Sequence, residues 1–370
     1  MNFIKKNKKS ILFYGSLLIS SLAIIIFTFN NQSFYKETIA KVIETSEKKI
    51  NEETVNFGYQ DITYRQTIKA KIENGPYKNE IITLTNEYHN GEAYGEKYRK
   101  NNEVFVSLDV NNKIITGSHI TGYKRDKYIV ILAVTFILSI IIVGKTKGFL
   151  SIISVIINVV IFYVIVHLNT KNISLPILSF VGSIFFSAIC LTLVSGFNKK
   201  TLSAIISSIL GVSATMLITM IVIHTTNYSG IRFEQMELLT RPYEGIFISE
   251  LILGGLGAIM DISISMASSL NELIEKDPKI KTKQLIKSGF NIGKDIMSTM
   301  INVLFFTYIC TSLGNLSIMF RNGITVNMLL TEYISLEMTR ALVGAIGITI
   351  TIPIAIYITV LVYRRRLKND

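Results

Sequence analysis

The sequence contains no tryptophan and only two cysteines, and just 17% of its residues are charged. Without tryptophan, any aromatic belt at a membrane surface falls to the 17 tyrosines and 20 phenylalanines. Cys190 and Cys310 both sit inside apolar runs, which excludes a disulfide framework. The scarcity of charge, with 49% hydrophobic residues and a mean hydropathy of +0.43, excludes an ordinary soluble globular chain. A phosphate-binding loop is missing too. Gly144-Lys145-Thr146 imitates the end of one, but the upstream glycine and the preceding strand are absent. No nucleotide-driven chemistry is expected, no cofactor, no metal and no enzymatic activity.

Acidic residues are the rarer sign, 26 against 38 basic, for a net charge of +12. That balance resembles a nucleic-acid signature until the positions are read. The basic residues gather at the ends of apolar runs, which is a membrane-topology pattern, and no nucleic-acid motif accompanies it.

The pattern predicts an all-α polytopic membrane bundle of about eight spanning helices, each near the expected 20 residues. The runs are Ile11–Phe29, Tyr128–Val143, Phe149–His167, Leu175–Val194, Leu202–His224, Ile246–Ser268, Ile296–Leu313 and Leu336–Val362. Lysine and arginine cluster at Lys5–Lys9, Lys145 and Lys147, Lys199 and Lys200, Lys276–Lys294 and Arg364–Lys368. The alternate connections hold only Lys171, Arg232, Arg241 and Arg321. Both termini are therefore expected in the cytoplasm of a cell-membrane protein. The first run is read as a retained anchor, because Phe27-Thr28-Phe29-Asn30-Asn31 offers no small-residue cleavage site.

This reading divides the chain into an anchor helix (1–30), an extracytoplasmic β domain (31–127) and a seven-helix membrane domain (128–370). In the β domain, Thr38–Thr45, Tyr64–Ile72, Glu80–Asn86, Glu103–Leu108 and Ile114–Ile120 carry strand periodicity. Asn74-Gly75-Pro76, Asn90-Gly91 and Asn111-Asn112 supply turns between them. The expectation is a small antiparallel barrel, OB-like or SH3-like, inserted between the first two helices. Lys36–Ile50 also fits an amphipathic helix.

The functional signal lies in the sixth run. Glu250, Gly254, Gly257, Asp261, Ser265 and Ser268 recur every three or four residues and share one face. A carboxylate at that depth costs roughly 2.5–3.5 kcal/mol on insertion scales, so Asp261 needs a partner, a proton or water. Glycines on the same face let a neighbouring helix approach. In the seventh run Thr299 and Asn302 form a stripe, with Asn302 at the depth of Asp261; Lys294-Asp295 stands at its entrance, where Asp295 could cap a helix. In the eighth, Glu337, Arg340, Ala341, Gly344 and Ile348 share a side, and Arg340 matches the depth of Glu250. An Arg340 ion pair with Glu250 or Glu337 is expected, most simply as a structural bridge. His167 and His224 fit interfacial positions, and Asn158 is a candidate for the same polar cavity. Lys279–Asn291 reads as an amphipathic surface helix with Leu285, Ile286 and Phe290 on its apolar side.

Three blocks resemble the YibE/F-like family of bacterial multi-spanning membrane proteins. They are Gly257-Ala258-Ile259-Met260-Asp261-Ile262-Ser263-Ile264-Ser265-Met266-Ala267-Ser268-Ser269-Leu270, then Ser288-Gly289-Phe290-Asn291-Ile292-Gly293-Lys294-Asp295 running on to Asn302, and Arg340-Ala341-Leu342-Val343-Gly344-Ala345-Ile346-Gly347. Gly75-Pro76-Tyr77-Lys78 before a strand is similar to the family's soluble domain. Where the second block of that family favours arginine and glycine, this chain has Lys294 and Ser298, and lysine cannot make a bidentate guanidinium contact. The resemblance implies membrane location and a transport-type role, with no substrate attached.

The leading expectation is a gradient-driven permease for a small solute or ion. Asp261, Asn302, Glu250, Asp295, Thr299 and Ser265 would form its site, Gly254, Gly257 and Gly344 would pack the helices, and Arg340 and Glu337 would form an outer ion pair. Its partners would be the lipid bilayer, the solute and a second copy or paired membrane subunit, with no nucleic acid. The alternative is a non-transporting scaffold whose outer β domain docks an envelope protein. Intramembrane proteolysis by paired aspartates does not fit, since the glycine spacing before Asp261 is wrong and Asp295 lies at the interface.

Overall fold

The computed structural model describes residues 2–55, 59–90, 95–236 and 242–367. Gly91, Arg241 and Lys368, named above, lie outside them. The chain divides into two compact units, Met1–Val143 and Gly144–Asp370.

The first unit begins with helix α1 (Asn2–Phe29), followed by strands β1 (Thr38–Val55), β2 (Tyr59–Ile72), β3 (Ile81–His89), β4 (Glu103–Asn111) and β5 (Ile114–Tyr123). All five expected strands are present. They form one antiparallel sheet of order β3-β2-β1-β4-β5, which does not close into the expected barrel. β3 and β5 remain edges. They approach each other without forming a ladder, and Ser118 Oγ donates to the Thr83 carbonyl at 3.0 Å. The helical option for Lys36–Ile50 is also overturned, because β1 runs through it and pairs with β2 from Ala40 to Val55. Ala40, Val42, Ile68, Ala70, Ile72, Leu84 and Val104 are buried on one face of the sheet, as period-two alternation requires. Gln66, fully buried among them, has its amide bonded to Tyr98, Glu47 and Asn86. The β4–β5 turn places Asn112 and Lys113 at φ 49° and 66°, the left-handed pair that tight hairpins need.

Helix α2 (Asp126–Asn169) joins the two units. It contains both the second and third apolar runs, broken at Lys145 (φ 51°, ψ −127°). The second unit continues with α3 (Leu175–Ser195), α4 (Lys199–Thr226), α5 (Tyr243–Lys276), α6 (Thr282–Arg321), the single turn α7 (Val326–Met328) and α8 (Ser335–Leu367). Among the described residues, six helices are long and apolar enough to cross a membrane: α2 to α6 and α8. In α1 the stretch Gly15–Phe29 is a shorter apolar segment.

The packing of the second unit is that of helices without a polar solvent between them. The buried face of α4 is small: Ser203, Ala204, Ser207, Ser208, Gly211 and Thr215. The hydroxyls of Ser207, Ser208 and Thr215 donate to carbonyls four residues back at 2.7–2.8 Å, so their polarity is absorbed within the helix. A methyl on Gly211 would meet Thr351 Oγ1 of α8 at 2.4 Å and Ile259 Cγ2 of α5 at 3.1 Å. α5 and α8 cross at Gly255 and Gly344, where a methyl on the first would lie 3.9 Å from Cα of the second. The expected surface helix at Lys279–Asn291 does not form separately. α6 runs unbroken from Thr282, and Leu285 is fully buried in the cluster that holds Leu270 and Ile356. Its apolar side therefore faces the bundle core.

Candidate functional site

The core-facing side of α5 is Phe247, Leu251, Ile252, Gly255, Leu256, Ile259, Ile262, Ser263 and Met266. Glu250, Gly254, Gly257, Asp261, Ser265 and Ser268 all fall outside that set; Gly254, Gly257 and Asp261 are exposed, and Glu250, Ser265 and Ser268 half-buried. Asp261 is exposed there and, among the described residues, makes no hydrogen bond or ion pair. Nothing fixes its carboxylate in a dry, fully bonded site.

The end of the bundle where α5 begins and α6 finishes holds a polar cavity of about 390 Å³. Its charged wall is Glu250 from α5 with Glu337 and Arg340 from α8; Thr311, Ser312 and Asn315 of α6 and Tyr333 add polar groups, and Met236, Ile246, Leu316 and Leu336 add apolar ones. Arg340 donates through Nη2 to Glu250 and through Nη1 to Glu337, so the expected ion pair forms with both carboxylates. Its guanidinium carbon stands 5.7 Å from the centroid of the Phe247 ring, and its Nε is buried without a partner. The Arg340 side chain is 15% exposed, whereas that of Glu250 is 42% exposed. The guanidinium is thus held among its neighbours and mostly covered, while Glu250 faces the opening.

One turn further along α5, Gly254 receives the Tyr308 hydroxyl of α6 so closely that a methyl there would lie 2.1 Å from it. Gly344 receives Leu304 in the same way, at 2.4 Å. Gly254 and Gly344 are therefore notches for α6 side chains, as expected of packing glycines. Gly257 is not, because nothing lies within 4 Å of where its side chain would start.

The remaining expected residues are placed less as the spacing suggested. Asn302 is exposed and donates to the Ser298 carbonyl of its own helix at 3.0 Å, so no Asp261–Asn302 hydrogen bond forms. Thr299 likewise donates to Ile296 within α6, at 2.9 Å. Asp295 caps no helix: α6 starts at Thr282, and Asp295 is an exposed residue in its interior. Ser265 is half-buried on α5. Asn158 does not line the cavity; its buried Oδ1 has no partner. His167 stacks on Tyr163 at the end of α2, with ring centroids 6.1 Å apart. The residues missed from sequence are Tyr333 and, on one side of α6 at spacings of three and four, Tyr308, Thr311, Ser312 and Asn315.

Long apolar helices with small-residue contacts, beside a small open sheet, define a multi-helix chain of membrane-protein type. The chain belongs to the YibE/F-like family: residues 132–365 match the YibE/F-like protein and residues 33–123 the YibE/F family N-terminal domain. No curated protein and no solved structure matches it.

Proposed function

We propose that the chain is a gradient-driven permease for a small solute or ion, with α5, α6 and α8 lining its path. It would cross the cell membrane eight times, counting α1 and the two runs of α2, with both termini inside and residues 31–127 outside. A straight helix of 44 residues is about 66 Å long, roughly twice the hydrocarbon core, and this supports two crossings broken at Lys145. The observation that carries the reading is a pair of exposed carboxylates on one helix, Glu250 at the cavity and the unbonded Asp261 about 16 Å along the same axis. An ionisable group on a membrane helix with no protein partner marks a place where water, a proton or a cation must come.

The test is proton uptake into dye-loaded proteoliposomes under an imposed membrane potential. Asp261→Asn should lower the rate at least about tenfold while Asp261→Glu keeps part of it. An unchanged rate and pH profile in the Asn variant removes the carboxylate from the mechanism.

The open sheet edges favour the second reading, a scaffold whose outer domain docks an envelope partner by strand addition. Deleting residues 51–122 separates the two: scaffold function vanishes, whereas transport by the helices survives in part.

A further inference from the structure

We infer that the cavity bounded by Glu250, Glu337 and Arg340 is a cation vestibule whose ligand is a small substituted ammonium ion. It rests on the permease reading only for its role as the entry chamber; the binding chemistry stands without it. Among the described residues, two carboxylates and one guanidinium leave the wall with one excess negative charge. The geometry decides which charge a ligand meets. Both Nη groups of Arg340 are committed to carboxylates, one face of the guanidinium stands over Phe247, and Nε is buried. An anion therefore meets little of the one cationic group that lines the cavity among the described residues, since its side chain is only 15% exposed and held between two carboxylates. Glu250, by contrast, spends itself on Arg340 alone and is 42% exposed.

Size and wall chemistry narrow the cation. A space of about 390 Å³ holds roughly a dozen waters at about 30 Å³ each, far more than a stripped metal ion occupies. Among the described residues no group of three or more His, Cys, Asp or Glu side chains is arranged to hold a metal. Tyr333 contributes an aromatic ring, and Thr311, Ser312 and Asn315 contribute oxygens that accept hydrogen bonds. A carboxylate, an aromatic ring and neutral acceptors around a roomy space suit a compact organic cation with N–H or N–CH₃ groups.

Calorimetric titration of the full chain in neutral detergent tests this, with methylammonium chloride as the cation probe and sodium acetate as the anion probe. Saturable binding of methylammonium and none of acetate is expected. Glu250→Gln should weaken methylammonium roughly tenfold, and Asn315→Asp should tighten it several-fold by adding a charge to the wall. Should Glu250→Gln fail to fold, Asn315→Asp and Tyr333→Leu carry the test, since both leave the Arg340 pairs intact; Tyr333→Leu should also weaken binding. Acetate binding in place of methylammonium, or an affinity indifferent to Asn315→Asp and Tyr333→Leu, overturns the proposal. Asp261→Asn should lose flux yet keep methylammonium affinity. Intact binding in a chain that transports nothing retires the permease reading and leaves the vestibule standing.

Discussion

Lys124 is a fully buried cation, and its ammonium group lies 3.0 Å from Glu103 and 2.9 Å from Asp126. Asp126 also accepts from Asn31 Nδ2 and the Tyr35 hydroxyl, both at 2.9 Å, which ties the exit of α1 to the start of α2. Removing the cation strands two carboxylates, so Lys124→Met should cost roughly 3–5 kcal/mol, read as a lower melting temperature in detergent. Glu47 offers a milder test. The Lys97 hydrogen bond holds its carboxyl below the ordinary range; burial pushes the other way, and the Tyr88 hydroxyl adds a second downward pull. A depressed carboxyl stabilises the fold above its ordinary value of 4.5 and loses that contribution as pH falls through the lower folded value. Amide exchange in β1–β3 should therefore accelerate from about pH 4.5 downward, and Glu47→Gln should flatten that dependence. At this scale the sequence announced Arg340 with its carboxylates, because charges at matched depth in apolar runs have few other partners. It misjudged Asp295 and Asn302, since neither the true start of α6 nor the capture of an amide by its own helix is visible in spacing.

Helix contacts in this chain are decided by where glycines meet something. Gly211 sits between Thr351 and Ile259, so Gly211→Val should destabilise by about 1–3 kcal/mol through overpacking. Gly257 touches nothing, so Gly257→Ala should leave stability unchanged or raise it by up to about 1 kcal/mol, because alanine suits a helix better. Thermal unfolding of the two variants side by side checks the contrast. Most elements were legible because apolar runs of bilayer length and period-two strands are strong local signals. The exceptions share a cause: β1 and the start of α6 carry apolar spacings that fit two structures, and only the partner strand or the buried Leu285 chooses between them.

For the molecule as a whole, the uneven distribution of lysine and arginine sets the proposed orientation. With Cys190 and Cys310 replaced, Lys78→Cys should react with an impermeant maleimide in intact cells, and Lys283→Cys only after permeabilisation. The reverse labelling pattern inverts the topology. Barrel closure was not legible, because it depends on whether two strands distant in sequence pair as a ladder, and β3 and β5 lie near each other without pairing. The same open sheet leaves β1 longer than its neighbours. β4 accompanies it only from Thr38 to Lys41, and β3 reaches along β2 only as far as Thr63, so Asn51–Val55 and Tyr59–Ile62 have no strand but each other. A two-stranded ribbon without a third layer is marginal in water. The paired stretch Asn51–Val55 and Tyr59–Ile62 should open on its own, and a glutamate-specific protease should nick the native chain first at Glu52 or Glu53 while the rest of the sheet stays whole.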